Sequence, residues 1–210
     1  MLEQARAPAD PLPVRRRGPS RPGALGESFP SVLAAARTGA PWAFERLWQA
    51  LAPSVVGYLR LQGALEADDV TSEVFLSVFT GLESFEGDED RFRSWVFTIA
   101  HRRLVDDWRR RGRRPALADG GGPNEQRQAE SAGGDVEDEA LRRLSEQRVR
   151  RLCDLLAPDQ RDVLLLRMVA GMSLDQTAEA LEKTTIAVKA LQHRGVAALR
   201  RHLEREGVSL

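Results

Sequence analysis

Apolar residues recur at spacings of three and four along most of the chain, and no stretch shows the period of two that a half-buried strand requires. Phe44, Leu47, Trp48, Leu51, Val55 and Leu59 form one stripe. Val70, Val74, Val78 and Leu82 form a second, and Phe92, Trp95, Val96, Ile99, Leu104 and Trp108 a third. These stripes predict at least three amphipathic helices between Phe29 and about Arg111, enough to close one core, with Leu82 to Asp90 as the loop between the last two. Farther on, Leu141, Leu144, Val149, Leu152, Leu155 and Leu156 predict a helix that Ala157-Pro158 ends. Val163 to Val169 predicts the next, with Gly171 as its stop. Ser173-Leu-Asp-Gln176 is a capping box, in which hydroxyl and amide satisfy each other's orphan backbone donors; it opens a short helix bearing Leu174, Ala178 and Leu181. After the break Glu182-Lys183-Thr184-Thr185, a longer helix carries Ile186, Val188, Leu191, Val196 and Leu199, with Thr184 or Thr185 as its cap. Short helix, turn and long helix make a helix-turn-helix layout in an all-α chain.

The segments between these patterns set the organisation. Residues 1–27 hold Pro8, Pro11, Pro13, Pro19 and Pro22 among Arg, Gly and Ala, with no period of either kind, and are expected to be a disordered tail. Residues 113–137 carry Gly120-Gly121-Gly122, Gly133-Gly134, Pro115 and Pro123 and read as a linker. Two helical domains follow, 28–112 and 138–207, which suits 210 residues. A flexible linker of 25 residues spans about 25–30 Å r.m.s. and reaches at most ~3.3 Å per residue. It cannot hold two binding sites at a fixed spacing.

Composition narrows the function. Hydrophobic residues are 42% of the chain, and no apolar run approaches the ~18 residues of a spanning helix. No secretory signal follows Arg15-Arg16-Arg17, so a cytoplasmic location is expected. Cys153 is the only cysteine, which excludes an intramolecular disulfide and a thiolate cluster and suggests a small buried hydrophobe. His101, His193 and His202 are far apart, and no HExxH, GxSxG, GxGxxG or P-loop pattern occurs. Neither an active site nor a metal or other cofactor is expected.

Charge is balanced in total, 31 basic against 31 acidic residues, and strongly segregated in place. Residues 66–90 hold Glu66, Asp68, Asp69, Glu73, Glu83, Glu86, Asp88, Glu89 and Asp90 and no Lys or Arg. Residues 91–114 hold Arg91, Arg93, Arg102, Arg103, Arg109, Arg110, Arg111, Arg113 and Arg114 against Asp106 and Asp107. A clustered positive surface attracts polyanions, and an adjacent negative one suits a basic protein. Arginines interleaved with Trp95, Phe97 and Trp108 can hold unstacked bases, although tryptophans at helical spacing more often fill a core. In the second domain, Lys189, Arg194, Arg200, Arg201 and Arg205 stand against Glu204, and Thr184, Thr185, Lys189, Gln192 and His193 crowd the start of the last helix. Helix-turn-helix proteins place such residues at base edges and flanking arginines at phosphates.

The residues also resemble a known family. Ala43-Phe-Glu-Arg-Leu-Trp, Asp69-Val-Thr-Ser-Glu-Val-Phe-Leu76 and Phe92-Arg-Ser-Trp-Val-Phe-Thr-Ile-Ala100 resemble region 2 of an extracytoplasmic-function sigma factor of the sigma-70 family. Leu156-Ala-Pro-Asp-Gln-Arg-Asp-Val-Leu-Leu-Leu-Arg167 and the helix-turn-helix resemble its region 4. The resemblance covers about residues 28–112 and 139–205. It implies a subunit that binds core RNA polymerase, melts the minus-ten element of promoter DNA and reads the minus-thirty-five element as duplex, with room for an anti-sigma partner. By the same resemblance Asp68, Asp69, Glu73 and Phe75 would bind polymerase. Arg91, Arg93, Trp95, Arg102, Arg103, Asp106, Arg109 and Arg110 would meet minus-ten DNA, and the loop from Glu86 to Arg93 would capture a flipped base. Thr184, Thr185, Lys189, Gln192, His193 and Arg194 would read the minus-thirty-five element.

The chain departs from the family at Ser72, where Gln is usual, and at Arg102, where Asn is common. Glu182 stands at the turn's usual Gly, and Ala190-Leu191 replaces a frequent Ser-Arg pair. Glu182 must then adopt the turn's backbone without glycine's freedom at positive φ. Two other functions fit parts of the pattern: a dimeric helix-turn-helix regulator acting without polymerase, and a helical metal-dependent hydrolase built on Asp68, Asp69 and Glu73.

Overall fold

A computed structural model describes residues 24–112 and 136–207, with backbone alone for 136–143. Most of the expected tail and the segment 113–135 of the expected linker therefore lie outside the described residues. The described residues are helical, without strands. Four helices build the first domain: α1 (Phe29–Arg37), α2 (Pro41–Leu61), α3 (Ala67–Gly81) and α4 (Glu89–Arg110). Another four build the second: α5 (Val136–Asp154), α6 (Pro158–Met168), α7 (Leu174–Ala180) and α8 (Thr185–Arg205).

The three stripes converge as their spacing requires. Leu47, Val55, Leu59, Val74, Val78, Val96 and Leu104 are fully enclosed, with Tyr58 edge-on to Phe97 and Phe85 edge-on to Phe92. Burying side chains of this size contributes about 1.5–3 kcal/mol each. Trp95 lies over Gly81, where a Cβ would come within 2.9 Å of the indole. Trp108 closes the far end of the core.

Several boundaries differ from the periodic pattern. Helix α3 begins at Ala67, three residues before the Val70 stripe, so Asp68 and Asp69 sit in its first turn and favour the helix through its dipole. Helix α6 begins five residues before Val163, with Pro158 at its first position. Its polar start, Arg161 and Asp162, is buried rather than solvated. Gly26–Ser28 is a 3-10 turn, not part of a tail, and the Glu89 carboxylate accepts from the Leu25 and Gly26 amides at 2.5 and 2.8 Å.

Elsewhere the local chemistry matches. Ser173 and Gln176 form both bonds of the capping box, and Thr184 Oγ1 accepts from the Ala187 amide to cap α8. Glu182 has φ 53°, the one positive φ outside glycine among the described residues. It ends α7 in a Schellman motif: Lys183 N–H donates to Ala178 C=O at 2.9 Å and Glu182 N–H to Glu179 C=O at 3.2 Å.

The two domains also pack on each other, which no single-helix periodicity announces. Helix α2 meets α5 and α6, and α4 meets α7. Cys153, Leu165, Leu166, Ala170 and Met172 join the apolar cluster of the first domain. Polar links cross the same contact. Gln62 Nε2 donates to Asp162 Oδ1 at 2.9 Å and to the Tyr58 hydroxyl at 3.3 Å, and that hydroxyl lies 2.9 Å from His101 Nδ1. Arg93 donates from Nε to Ala170 C=O at 2.8 Å and from Nη2 to Val169 C=O at 3.2 Å, where the end of α6 leaves carbonyls without helical partners.

Candidate nucleic-acid and polymerase interfaces

Helix α3 turns an acidic strip outward. Asp69, Ser72, Glu73, Leu76 and Thr80 are exposed at helical spacing, opposite buried Val70, Val74 and Val78. Asp68 pairs with Arg60 at 3.1 Å, and Glu73 lies 4.0 Å from both Arg103 and Arg110. Phe75 does not share this surface. It is 1% exposed, with its ring 4.6 Å from that of Trp48, and Leu76 takes the outward position at 69% exposure. Two adjacent apolar residues look alike to a periodicity argument until the neighbouring helix fixes the register. Half-exposed Trp48 and exposed Leu76 supply apolar surface beside the acids, a feature the sequence-based set lacked.

Helix α4 carries two exposed basic rows. Arg102, Asp106 and Arg109 lie at i, i+4 and i+7, with Arg109 3.6 Å from Asp106. Arg103 and Arg110 form the second row and lean on α3, Arg103 also donating to Ser77 Oγ at 2.8 Å. Exposed ion pairs of this kind contribute roughly 0–1 kcal/mol each, so these guanidinium groups can leave their carboxylates for another anion at small cost. Buried Asp107, by contrast, accepts from Arg111 Nε at 2.9 Å and anchors the helix end.

The loop before α4 is braced from several sides. Arg37 donates to the carbonyls of Leu82 and Phe85, Asp88 caps α4 by accepting from the Arg91 amide at 2.8 Å, and Glu89 holds residues 25 and 26. Phe29, Pro30, Leu33, Arg37 and residues 86–89 line an open groove there. Arg91 is exposed at its edge. Trp95 is half-buried, one ring face stacked on Phe85 at 5.1 Å and a 24° tilt, so core packing already engages much of it. Arg93 is 8% exposed and points into the second domain; in this arrangement it does not reach the surface shared by the other arginines.

In the second domain, α7 and α8 form the helix-turn-helix over α6. Gly195 permits the close approach of α8 to α6, because a Cβ there would come within 2.9 Å of Leu164 Cδ1. No sequence signal beyond an isolated helical glycine marked it. Thr185, Lys189, His193 and Arg194 are exposed on α8. Thr184 is engaged as the cap, and half-buried Gln192 accepts from Arg167 Nε at 3.4 Å. Lys183 pairs with Asp159 at 3.1 Å, tying the turn to α6. Among the described residues no group of three or more His, Cys, Asp or Glu is placed to hold a metal ion, and no helix is long and apolar enough to cross a membrane.

Cys153 is buried at the contact between the domains. Burial pushes its thiol pKa above the usual value, opposed by the nearby Arg161 charge and reinforced by Asp154. Arg161 donates to Cys153 C=O at 2.9 Å and to Asp154 Oδ1 at 3.1 Å, joining the end of α5 to α6.

Comparison with known proteins agrees with this layout. Residues 44–114 match the family model of sigma-70 region 2, and residues 146–199 match that of sigma-70 region 4. The chain is 33% identical over 181 residues to the ECF RNA polymerase sigma factor SigD of Mycobacterium tuberculosis, covering 83% of this chain and 84% of that protein. It is 30% identical to the ECF sigma factor BldN of Streptomyces coelicolor, over 87% of this chain and 69% of that one. The solved structure of CnrH in complex with the cytosolic domain of CnrY aligns with a TM-score of 0.58 at 25% identity, over 83% of this chain and 96% of that one. With both family regions present in order and relatives matched over most of their length, the chain belongs to the extracytoplasmic-function sigma factors of the sigma-70 family.

Proposed function

We propose that this sigma factor, which binds core RNA polymerase and directs promoter-specific initiation, divides its contacts among three surfaces. The outward face of α3, with Asp69, Glu73 and Leu76, meets the polymerase. Acidic side chains suit a basic partner surface, and Leu76 with Trp48 adds apolar area that water leaves on binding. Arg91, Arg102, Arg103, Arg109 and Arg110 contact minus-ten DNA, and the braced 86–90 loop beside them receives an unstacked base. Melting then draws its free energy from binding the unpaired strand, with no bond made or broken by the protein. Helix α8 enters the major groove of the minus-thirty-five element through its first turns, with Lys189, His193 and Arg194 outward. An anti-sigma partner would compete for these surfaces, and the protein works in the cytoplasm, where polymerase and promoter meet.

The observation that carries this reading is the pairing of an acidic outward strip on α3 with basic outward rows on the adjacent α4, in one domain, followed by a helix-turn-helix in the next. A metal-dependent hydrolase built on the same acids is not favoured, because Asp68 and Glu73 already face arginines. The test is run-off transcription with core polymerase on fragmented genomic DNA, mapping 5′ ends. Wild-type protein is expected to produce start sites sharing two upstream elements. Asp69→Lys with Glu73→Lys should abolish both co-purification with polymerase and those starts; retained co-purification would move the interface off α3. Removing one phosphate-binding arginine, as in Arg102→Ala or Arg109→Ala, should lower the salt slope of promoter binding by about one.

A further inference from the structure

Ile186, in the first turn of α8, has no place in the core. At 83% it is the most exposed large apolar side chain among the described residues. Helical geometry puts it about 180° around the axis from Gly195, which lies against Leu164, and within about 60° of Lys189 and His193. It therefore stands at the centre of the face that α8 turns away from its own domain. Two polar neighbours on this helix are already committed, Thr184 to capping and Gln192 to Arg167. One turn on, Ala190 offers only a methyl group, and Leu191 turns inward against the Val163–Val188 cluster. Where the family often has a hydroxyl, this chain offers only the Ala190 methyl group.

We propose that Ile186 is a specificity-determining residue of minus-thirty-five recognition that reads the 5-methyl group of a thymine in the major groove. The inference rests on the reading of α8 as the groove helix. An isoleucine has no hydrogen-bonding group, so it distinguishes base pairs only by apolar contact. Thymine alone among the four bases presents a methyl group at that edge. A β-branched side chain on a helix is held in essentially one rotamer, so little freedom is lost when it docks. Its two neighbours on the face, Lys189 and His193, are left to phosphates and acceptor edges.

The test uses holoenzyme reconstituted with core polymerase and promoter duplexes taken from the mapped start sites. Each minus-thirty-five thymine, on either strand, is replaced by deoxyuridine, which removes the methyl group and nothing else. Wild type is expected to bind one such duplex about fourfold more weakly, the equivalent of ~0.8 kcal/mol for one methyl-sized group at 1.4 kcal/mol per tenfold. Ile186→Ala should bind the thymine and uracil versions alike, and Ile186→Val should keep part of the difference. If Ile186→Ala remains as sensitive as wild type to the same uracil, the contact belongs to another residue and the proposal falls. If wild type ignores every uracil while Lys189→Ala still weakens the duplex, the groove assignment stands and the Ile186 contact is refuted. If Lys189→Ala is also silent, the assignment of α8 itself fails.

Discussion

Arg93 offers the sharpest test of how the two domains are held together. Its guanidinium is buried and donates to the carbonyls of Ala170 and Val169 at 2.8 and 3.2 Å, with Phe97 stacked 5.3 Å beneath it. A hydrogen bond to a charged group contributes about 1.5–3 kcal/mol. Removing the guanidinium from water costs several kcal/mol, and opening returns both it and the carbonyls to solvent. The net effect on closing is therefore smaller than the sum of two bonds, about 1–3 kcal/mol, or a five- to 150-fold change in the closed-to-open ratio. Two domains carried on one chain meet at an effective concentration of the order of mM. A change of that size is then enough to shift the population. Arg93→Ala should raise the radius of gyration measured by small-angle scattering, with helix content by circular dichroism unchanged. Arg93→Lys, a single point donor without the planar fork, should give an intermediate value. Two results would refute the reasoning: an unchanged radius for Arg93→Ala, or a wild-type radius already that of separated domains.

Other expectations are local. Glu182→Gly removes a left-handed-region penalty of about 1–2 kcal/mol at the turn and adds about 0.5–1 kcal/mol of backbone entropy, so thermal unfolding of the second domain should rise by several degrees. Gly195→Ala forces a Cβ onto Leu164 and should destabilise the second domain by about 1–3 kcal/mol, lowering the same transition. Because Cys153's folded pKa is raised, its share of stability is present below the unfolded thiol's pKa, about 8.5, and is lost as pH rises from there through the folded value. Wild type should therefore lose more stability than Cys153→Ala between pH 8 and 10 in denaturant titrations, and native protein at pH 7 should resist thiol alkylation.

Much of the fold was legible because each helix advertises its own buried face. The stripes through Leu47, Val74 and Val96, the Ser173 capping box, the Thr184 cap and the strained turn at Glu182 all follow from local rules. What those rules omit is which surface buries a face. Arg161 and Asp162 look like a solvated helix start, yet each finds a buried partner: Cys153 C=O at the end of the preceding helix for Arg161, and Gln62 from a remote part of the chain for Asp162. Arg93 sits in an arginine-rich run and still turns inward, because the end of α6 presents two unpaired carbonyls at the right place. Phe75 and Leu76 could be separated only by knowing where Trp48 packs. Ile186 was read as one more apolar position on the last helix, and only its exposure reveals that the core does not use it.

The same geometry sets a constraint on how the protein acts. In the closed arrangement the end of α6 covers Arg93 and α7 lies against α4, so the helix-turn-helix is held at one place relative to the basic rows of α4. Minus-ten and minus-thirty-five elements lie about 25 base pairs apart, roughly 85 Å at 3.4 Å per base pair. Two domains in direct contact cannot span that distance. The 23 residues from 113 to 135 have a contour length of at most about 80 Å, which with the domains' own width suffices. On the proposed assignment of the two DNA surfaces, promoter engagement requires the contact through Arg93, Gln62 and Asp162 to break, with the polymerase supplying both binding free energy for that opening and the spacing of the domains. Stabilising the closed contact should weaken promoter binding without touching any DNA-facing residue, and loosening it should free Arg93 to join the basic rows on α4.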